Sequence, residues 1–461
     1  MKQALKWVAG AAALALTLTA CGSGSGSGSA AGSVGDAPVA SASGAAAGTI
    51  NYWLWDSNQL PAYQACADAF HATNPSITVK ITQYGWADYW AKITNGFTSG
   101  TGPDVFTDHL SKYPEFVNKQ QILSINSALA ADKYNTDIYQ PGLLSLWTAP
   151  DGKIYGLPKD FDTIALFYNE SMAATAGYTP ASLAKLSWNA TDGGTFEKAV
   201  AHMTIDKNGK RGDQAGFDPK NVKTYGLALE DGSAGNGQTE WSTFTGGTGW
   251  NYLNKNPWGT HYNYDQATFQ NTLTWYRSFI TKGYMPPQDK VIGVNTGTQL
   301  GAGNYAMTVE GDWNTASYTA LKGVKIGIAP VPMNSAGKRA SMTNGLADSI
   351  NASTKNQAAS IKWVEFTGSA ACQDIVASKA IVFPAIPEAT DKAIAAFKAR
   401  GTDMTPFTDL VKNKETFLFP ISDHAADIYA IMNPAMQSFL SFKTDASAFT
   451  AANTEVNALF Q

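Results

Sequence analysis

The N-terminal third of the sequence alternates short stretches of strand-like periodicity with longer stretches of helical periodicity. Residues 49–55 (TINYWLW) and 77–83 (ITVKITQ) have the composition and alternation of strands. Between them, apolar residues recur at helical spacing from 60 to 70, and a second helical pattern covers 86–97. A short buried strand is predicted at 104–106. Strand, helix, strand, helix and strand in this order predict a parallel sheet with helices on both faces.

A second α/β region follows from about Ile164. Its predicted strands are 225–229, 305–309 and the start of 324–332, and its predicted helices are 357–366, 369–378 and most of 422–461. We therefore expect two α/β lobes that the chain crosses more than once. Folds of this kind bind ligands in the cleft at the C-terminal ends of their strands.

The composition narrows the possible functions. The 461 residues carry a formal net charge of −4, with 44% hydrophobic and 15% charged residues. The length is too great for one hydrophobic core. The lack of a basic block argues against a nucleic-acid partner. We expect no cofactor: the G-x-G-x-x-G-like string in GSGSGSGS has no strand before it and no helix after it.

The N-terminus has the parts of a secretory signal. Lys2 and Lys6 precede an apolar run from Trp7 to Ala20, which is shorter than the ~20 residues that a membrane-spanning helix needs. The segment Leu18-Thr19-Ala20-Cys21 resembles a bacterial lipobox, in which the peptide is cut before the cysteine and the new N-terminus is lipidated. The alternative is an ordinary signal peptide with a chance cysteine.

The segment 22–48 is rich in Gly, Ala and Ser and contains no aromatic residue. Such a composition cannot bury enough apolar surface to fold, so it predicts a flexible tether. The mature protein is expected on the outer face of the cell membrane, held by the lipid on Cys21. Cys66 and Cys372 remain in an oxidising compartment, where they form either a disulfide or two buried free thiols.

Many of the 13 Trp and 19 Tyr residues stand beside amide and carboxylate residues rather than within apolar runs. The stretches are NYWLWDSNQ, QYGWADYW, QTEWSTFTGGTGWNY, NPWGTHYNY and EGDWN. As a set they predict a cleft for sugars, which stack their C–H faces on aromatic rings and pair their hydroxyls with polar side chains. For any single tryptophan, a place in the core is an equal alternative.

Motifs for catalysis are weak. The five histidines form no zinc-binding pair such as H-E-x-x-H, and the sequence offers no G-x-S-x-G at a strand-to-helix turn. Residues 206–217 lack the ligands of a calcium loop and predict a surface hairpin. A glycosidase would need two carboxylates about 5–9 Å apart, and the sequence offers several candidates beside aromatic or turn residues. They are Asp56, Asp108, Asp162, Glu230, Asp312 and Asp423.

Four stretches carry a resemblance to one family. They are GPDVFTDHLSKYPEFV (102–117), DGKIYGLPKDFDTIALFYNESM (151–172), GNYAMTVEGDWN (303–314) and TNGLADSINASTKNQAASIKWVEFTGS (343–369). With the lipobox, they resemble the carbohydrate-specific extracellular solute-binding lipoproteins of bacterial ABC importers, the group that includes maltose-binding protein. The resemblance implies the two-lobe α/β fold of periplasmic binding proteins (type II), with a ligand cleft between lobes and several hinge crossings.

The resemblance also implies the organisation of the chain. A signal peptide (1–20) and a lipidated, tethered segment (21–48) would precede the folded part. The first lobe would comprise 49–162 and 333–390, and the second 163–332 and 391–461.

The function implied is capture of a neutral oligosaccharide and its delivery to a membrane permease by a monomer, without catalysis. Uronic acids are disfavoured because few basic residues, Lys159 excepted, occur in the site loops. The alternatives are a secreted glycoside hydrolase and a glycan-adhesion lipoprotein that neither closes nor contacts a permease.

The ligand-binding residues implied are Asp56, Asp108, His109 and Asp162 in the first lobe, and Trp241, Trp313, Asp423 and His424 elsewhere. Several have structural alternatives. Asp56 and Asp423 could cap helices, His109 could be a surface histidine, and Trp313 could belong to the core.

Overall fold

The strand and helix patterns of the N-terminal third form the predicted parallel sheet. In the computed structural model, which describes residues 46–230 and 235–461, strand β1 (Gly48–Leu54) pairs in parallel with β2 (Ile77–Gln83) and β3 (Val105–His109). Helix α1 (Leu60–Thr73) ends before Asn74-Pro75, as predicted. The predicted signal peptide, Cys21 and the tether up to residue 45 lie outside the described residues.

Three of the other eight described strands lie where the sequence predicts strands, near residues 225–229, 305–309 and 324–332, and the remaining five were not predicted. The eight strands are β4 (Leu157–Asn169), β5 (Ile205–Asp206), β6 (Val222–Leu227), β7 (Tyr305–Gly311), β8 (Ile326–Ala329), β9 (Ser341–Ile350), β10 (Phe383–Pro384) and β11 (Thr416–Leu418). The order β2-β1-β3-β9-β4-β7-β6-β5 forms one continuous path, with β10 and β8 on β4 and β11 on β9.

Helices cover both faces of this path. They are, after α1, α2 (Trp86–Ser99), α3 (Tyr113–Asn118), α4 (Asn126–Ala131), α5 (Leu143–Leu146), α6 (Glu170–Thr175), α7 (Pro180–Leu183), α8 (Gly194–Met203), α9 (Ser242–Gly247), α10 (Ala267–Thr281), α11 (Thr296–Gly301), α12 (Thr315–Thr319), α13 (Gln357–Thr367), α14 (Ala370–Ser378), α15 (Pro387–Ala399), α16 (Thr405–Lys412), α17 (Ala425–Leu440) and α18 (Ala448–Ala458). Short 3₁₀ turns cover Gln288–Lys290 and Asp312–Asn314.

Strand β4 passes from one lobe to the other. Its first half pairs with β9 and β10, and its second half pairs with β7 and β8. All thirteen of its residues are buried, which is the pattern of a strand covered on both faces. Strand β9 makes a second crossing, because it pairs with β3 near its end and with β11 at its start.

The apolar core is divided in the same way. One cluster joins β1, β2 and α1 to α13–α15, with Tyr52, Phe70 and Trp363 among its largest side chains. A separate, larger cluster joins residues 164–331 to α17 and α18. We refer to the parts built on these two clusters as the first and second lobes. The domain boundaries given above stay a prediction.

The pairing of the two late cysteines, left open by the sequence, is a disulfide. The Cys66 and Cys372 Cα atoms lie 5.2 Å apart, and the bond joins α1 to α14 inside the first-lobe core. The two residues are 306 positions apart in the sequence. The disulfide therefore closes a loop that contains the whole segment between the two crossings.

Candidate functional site

A cavity of about 590 Å³ opens where the C-terminal ends of β1, β3 and β7 approach β4 and β9. Its volume lies within the range typical of small-molecule sites. The lining residues are Trp55, Asp56, Ser57, Asn58, Gln59, Trp86, His109, Asp160, Phe161, Asp162, Glu230, Asn236, Gln238, Thr239, Asn295, Glu310, Trp313, Asn314, Ser317, Asn344, Leu346 and Val382. We call this cavity the cleft. Four of the eight predicted ligand contacts line it: Asp56, His109, Asp162 and Trp313.

The loop after β1 forms one edge of the cleft. Asp56 does not cap α1, whose N-cap position is Gln59 and lacks a side-chain cap. Instead, Asp56 Oδ1 accepts a hydrogen bond of 2.8 Å from the Asn58 backbone N–H, which fixes the turn. The Asn58 amide in turn donates to the Trp313 carbonyl at 3.5 Å. This contact links the loops that carry Asp56 and Trp313.

His109 is buried, with 1% of its surface exposed, so it is not a surface histidine. Its Nδ1 accepts a hydrogen bond from the Ser111 backbone N–H at 3.1 Å. Its Nε2 lies 2.7 Å from the Asn344 side-chain nitrogen and 3.3 Å from the Gln238 side-chain nitrogen. Burial lowers the pKa of His109 to about 3, so the ring is neutral. A neutral imidazole held between two amides suits binding of a hydroxyl group.

Asp108 is completely buried and does not line the cleft. It accepts a hydrogen bond from the His109 backbone N–H at 2.8 Å and lies 2.9 Å from Ser349 Oγ. The single Ser349 hydroxyl proton can also reach the Tyr155 carbonyl at 3.1 Å. Both contacts are satisfied at once if Asp108 is protonated and donates to Ser349. Burial raises the pKa of Asp108 to about 8, which agrees with this arrangement. Asp108 therefore positions β3 rather than contacting a ligand.

We expect the free energy of unfolding to fall by about 1 kcal/mol between pH 7 and 9 because of Asp108. Its folded pKa of about 8 lies above its unfolded value, so the folded state binds the extra proton and loses this advantage as the pH rises. His109, with a pKa lowered to about 3, acts in the opposite sense but only below its unfolded value of about 6.5. Chemical denaturation of the wild type and Asp108→Asn measures the difference. Asn mimics the protonated acid, so equal pH slopes in the two proteins would contradict the prediction.

Three further carboxyl groups gather where β4 crosses between the lobes. Asp160 and Asp162 lie on the same face of β4 and line the cleft, and Asp312 follows the end of β7. Burial raises the pKa of Asp160 to about 7. Burial and the neighbouring carboxyls also raise the pKa values of Asp162 and Asp312. The sequence analysis named Asp162 and Asp312 as possible glycosidase carboxylates, and Asp162 also as a ligand contact. It did not name Asp160.

Trp313 forms the aromatic wall on the β7 side. Its side chain is half-buried and packs against apolar residues of both lobes. Its ring lies over Gly311, where a Cβ atom would come within 2.0 Å of the ring. A glycine is therefore needed two residues before Trp313 for the ring to fold back into the cleft.

A second aromatic wall was missed in the sequence analysis. Trp55 and Trp86 line the cleft from the first lobe, with ring centroids 5.1 Å apart and nearly perpendicular planes. Trp86 is 36% exposed, which is unusual for so large an apolar side chain. Both occur in aromatic–polar stretches that the sequence had singled out. Asn344 and Gln238 were also missed, although Gln238 begins the aromatic–polar stretch QTEWSTFTGGTGWNY and Asn344 lies in the stretch 343–369 that carries the family resemblance.

Trp241 does not reach the cleft. It is completely buried in the second-lobe core, beside Trp250, Tyr252 and Phe269. Its flanking polar residues suggested an exposed position, but the ring packs among other aromatics and against Gly237. The expected stacking role therefore has no support in the structure, and the structural alternative applies.

Asp423 and His424 also lie outside the cleft lining. Asp423 Oδ2 accepts a hydrogen bond of 2.5 Å from the Asn118 side chain at the end of α3. His424 is the N-cap residue of α17, with φ of 60°, and its ring packs against Phe460. The pair therefore holds α17 in place instead of contacting a ligand in this cavity.

The described part of the chain contains no cluster of three or more His, Cys, Asp or Glu residues arranged to hold a metal ion. In residues 206–217, which were compared with a calcium loop, Asp206 Oδ1 accepts hydrogen bonds from the backbone N–H groups of Asn208 and Lys210, each at 2.8 Å. The Asp206 carboxylate therefore stabilises the hairpin. Among the described helices, none is long and apolar enough to cross a bilayer.

A family model described as bacterial extracellular solute-binding protein matches residues 65–406. The chain is 26% identical over 317 residues to a maltooligosaccharide ABC transporter solute-binding lipoprotein of Streptococcus pneumoniae, covering 68% of this chain and 66% of that one. It is 26% identical over 149 residues to a lactose-binding protein of Rhizobium radiobacter, covering 31% of this chain. That match spans about a third (34%) of the length of the lactose-binding protein.

Solved structures share the fold at low identity. An ABC substrate-binding protein of Listeria monocytogenes in complex with cycloalternan superposes with a TM-score of 0.76 at 17% identity, covering 89% of this chain and 98% of that one.

Proposed function

This chain belongs to the bacterial extracellular solute-binding protein family, and we propose that it captures an oligosaccharide for an ABC importer. The cleft would hold the sugar while the two lobes close on it, and a membrane permease would receive it. The observation that carries the proposal is that two aromatic walls, Trp55 with Trp86 and Trp313, line one cavity together with polar side chains.

The walls suit the chemistry of a sugar. A pyranose ring presents an apolar C–H face to an aromatic ring and hydroxyl groups at its edge. Around the edge, His109, Asn344 and Gln238 supply donors and acceptors, and Asp56 and Asp162 supply acceptors. We propose that the two walls move with different lobes, so that a ligand touching both would stabilise the closed form through contacts that the open form lacks.

The cavity has room beyond one sugar ring. A neighbouring cavity of about 280 Å³ shares Glu230, Asn295, Asn314 and Ser317 with the cleft and is lined mainly by small polar residues. This extension supports an oligosaccharide over a monosaccharide.

The proposal includes no catalysis. Members of the matched family are named for binding solutes, and relatives such as the pneumococcal lipoprotein are named as transporter components. We further propose that the protein acts as a monomer anchored outside the cell by a lipid on Cys21. The lipobox-like sequence supports the anchor, as does the lipoprotein name of the pneumococcal relative.

Calorimetry of the full chain against a panel of oligosaccharides tests the proposal. The panel contains malto-, cello- and chito-oligosaccharides of two to six units, and each mixture is analysed by chromatography afterwards. We expect micromolar or tighter binding of at least one member, recovered intact. Recovery of cleaved sugar would identify a glycoside hydrolase instead. The absence of binding to every member of the panel would contradict sugar binding.

Small-angle scattering separates an importer component from an adhesion protein. We expect the bound saccharide to reduce the radius of gyration, because the lobes close. A bound protein with unchanged dimensions would support the adhesion alternative.

A further inference from the structure

The ionisable side chains that line the cleft are acidic, apart from one histidine. Five of its lining residues carry carboxyl groups: Asp56, Asp160, Asp162, Glu230 and Glu310. Among the described residues, 46–230 and 235–461, no lysine or arginine lines the cleft. His109 is neutral because burial lowers its pKa to about 3. The nearby Lys159 does not line the cleft: it is 1% exposed and donates hydrogen bonds to Asp348, Tyr52 and Thr107, and its charge only partly offsets the rise in the pKa of Asp160.

The carboxyl groups at the β4 crossing are deeply buried. Asp160 is 3%, Asp162 is 7% and Asp312 is 0% exposed. Asp160 raises the pKa of Asp162 by electrostatic repulsion, and Asp160 and Asp162 both raise the pKa of Asp312. Such a group is stable only if it is protonated or if a cation balances it.

Several oxygens of this group lack hydrogen-bond donors. Asp160 Oδ1 accepts from the Leu346 backbone N–H at 3.0 Å, and Asp312 Oδ1 from the Thr163 backbone N–H at 3.2 Å. By contrast, Asp160 Oδ2, Asp162 Oδ1 and Asp312 Oδ2 are buried and receive no hydrogen bond from the described residues. Asp160 and Asp162 line the cleft, so water or a ligand that enters it can supply donors to their unpaired oxygens.

We propose that the preferred ligand is a saccharide carrying a protonated amine, and that its ammonium group binds to Asp160 and Asp162. The inference rests on the proposed function and narrows it, replacing the neutral saccharide expected from sequence. An ammonium group brings three donors and a positive charge, so it satisfies the unpaired oxygens and offsets the repulsion between them. A hydroxyl group brings one donor and no charge.

Matched ligands test the inference on the wild-type full chain. Cellotetraose, the glucosamine tetramer and the N-acetylglucosamine tetramer share ring and linkage and differ only at C2. For the neutral saccharide that binds best in the panel above, its 6-amino-6-deoxy derivative is compared as well. We expect an amine-bearing ligand to bind at least tenfold more tightly than its neutral counterpart, at a pH at which the amine is protonated.

Isosteric variants then locate the ammonium group. We expect Asp162→Asn and Asp160→Asn each to weaken binding of the amine-bearing ligand at least tenfold more than binding of its neutral counterpart. Asp391→Asn, an exposed site on α15 outside the cleft, removes the same charge and should change neither. If one cleft variant fails to fold, the other and the ligand comparison on the wild type still decide the question.

The outcomes are distinct. A neutral saccharide that binds as tightly as its amine-bearing forms, or more tightly, would overturn the inference and leave the proposed function intact. Equal losses for both ligands in the two cleft variants would also overturn it, because the carboxylates would then serve hydroxyl groups. Failure of every saccharide to bind would instead contradict the proposed function.

Discussion

Trp313→Ala is expected to weaken binding of the best saccharide by about 2–4 kcal/mol, which is roughly 30- to 1000-fold in Kd. The ring is the main aromatic surface on the β7 side of the cleft and packs against both lobes. Removing it takes away stacking area in the closed form and an apolar contact between the lobes. Calorimetry with the saccharide identified in the panel measures the loss.

Two controls separate stacking from folding. Trp313→Phe keeps an aromatic face and should retain most of the affinity. Trp86→Ala removes the exposed ring at the other aromatic wall and should cost less, because 36% of that side chain remains open to solvent. A folded Trp313→Ala protein with wild-type affinity would remove Trp313 from the site.

Lys159→Met is expected to lower the free energy of unfolding by about 3–5 kcal/mol. The Lys159 ammonium group is buried and donates to Asp348 Oδ1 at 2.9 Å, Tyr52 OH at 2.9 Å and Thr107 Oγ1 at 2.7 Å. Its Nζ also lies 4.1 Å from the Tyr63 ring centroid. Without it, Asp348 is left as a buried charge with no cation to balance it. Chemical denaturation measures the change.

The double variant Lys159→Met/Asp348→Asn is the matched control. It removes both charges together, so it should recover a large part of the stability lost in the single variant. If the single and double variants are equally destabilised, the ion pair is not the cause of the loss. Because Lys159 does not line the cleft, saccharide affinity should change little in any variant that folds.

The local elements of this fold are predictable from sequence because each satisfies a simple pattern. The alternation in residues 77–83 is that of β2, and Asn74-Pro75 ends α1 where a proline must. The crossings could be placed near β4 and β9 only through the family resemblance. No local pattern shows that one strand, β4, pairs in two lobes.

The site is predictable only in part, because polar surroundings in sequence do not fix exposure in space. Trp241 and Trp313 both stand beside polar residues, yet one is enclosed by aromatic rings and the other lies open to the cleft. What distinguishes them is packing between residues distant in the chain. Asp160 was overlooked for the same reason. Its position opposite Leu346 on β9 and its one oxygen without a donor follow from the pairing of distant strands, which the local sequence does not show.

The disulfide also bears on how the protein withstands cleavage by proteases. Cys66 and Cys372 join α1 to α14, so every peptide bond between them lies inside one covalent ring. A single nick by a protease anywhere in the second lobe's first segment opens the ring without releasing either fragment. The two pieces stay joined through the first-lobe core until the bond is reduced. For the exported protein proposed above, the same topology would set an order, because the ring could not close until residue 372 had crossed the membrane.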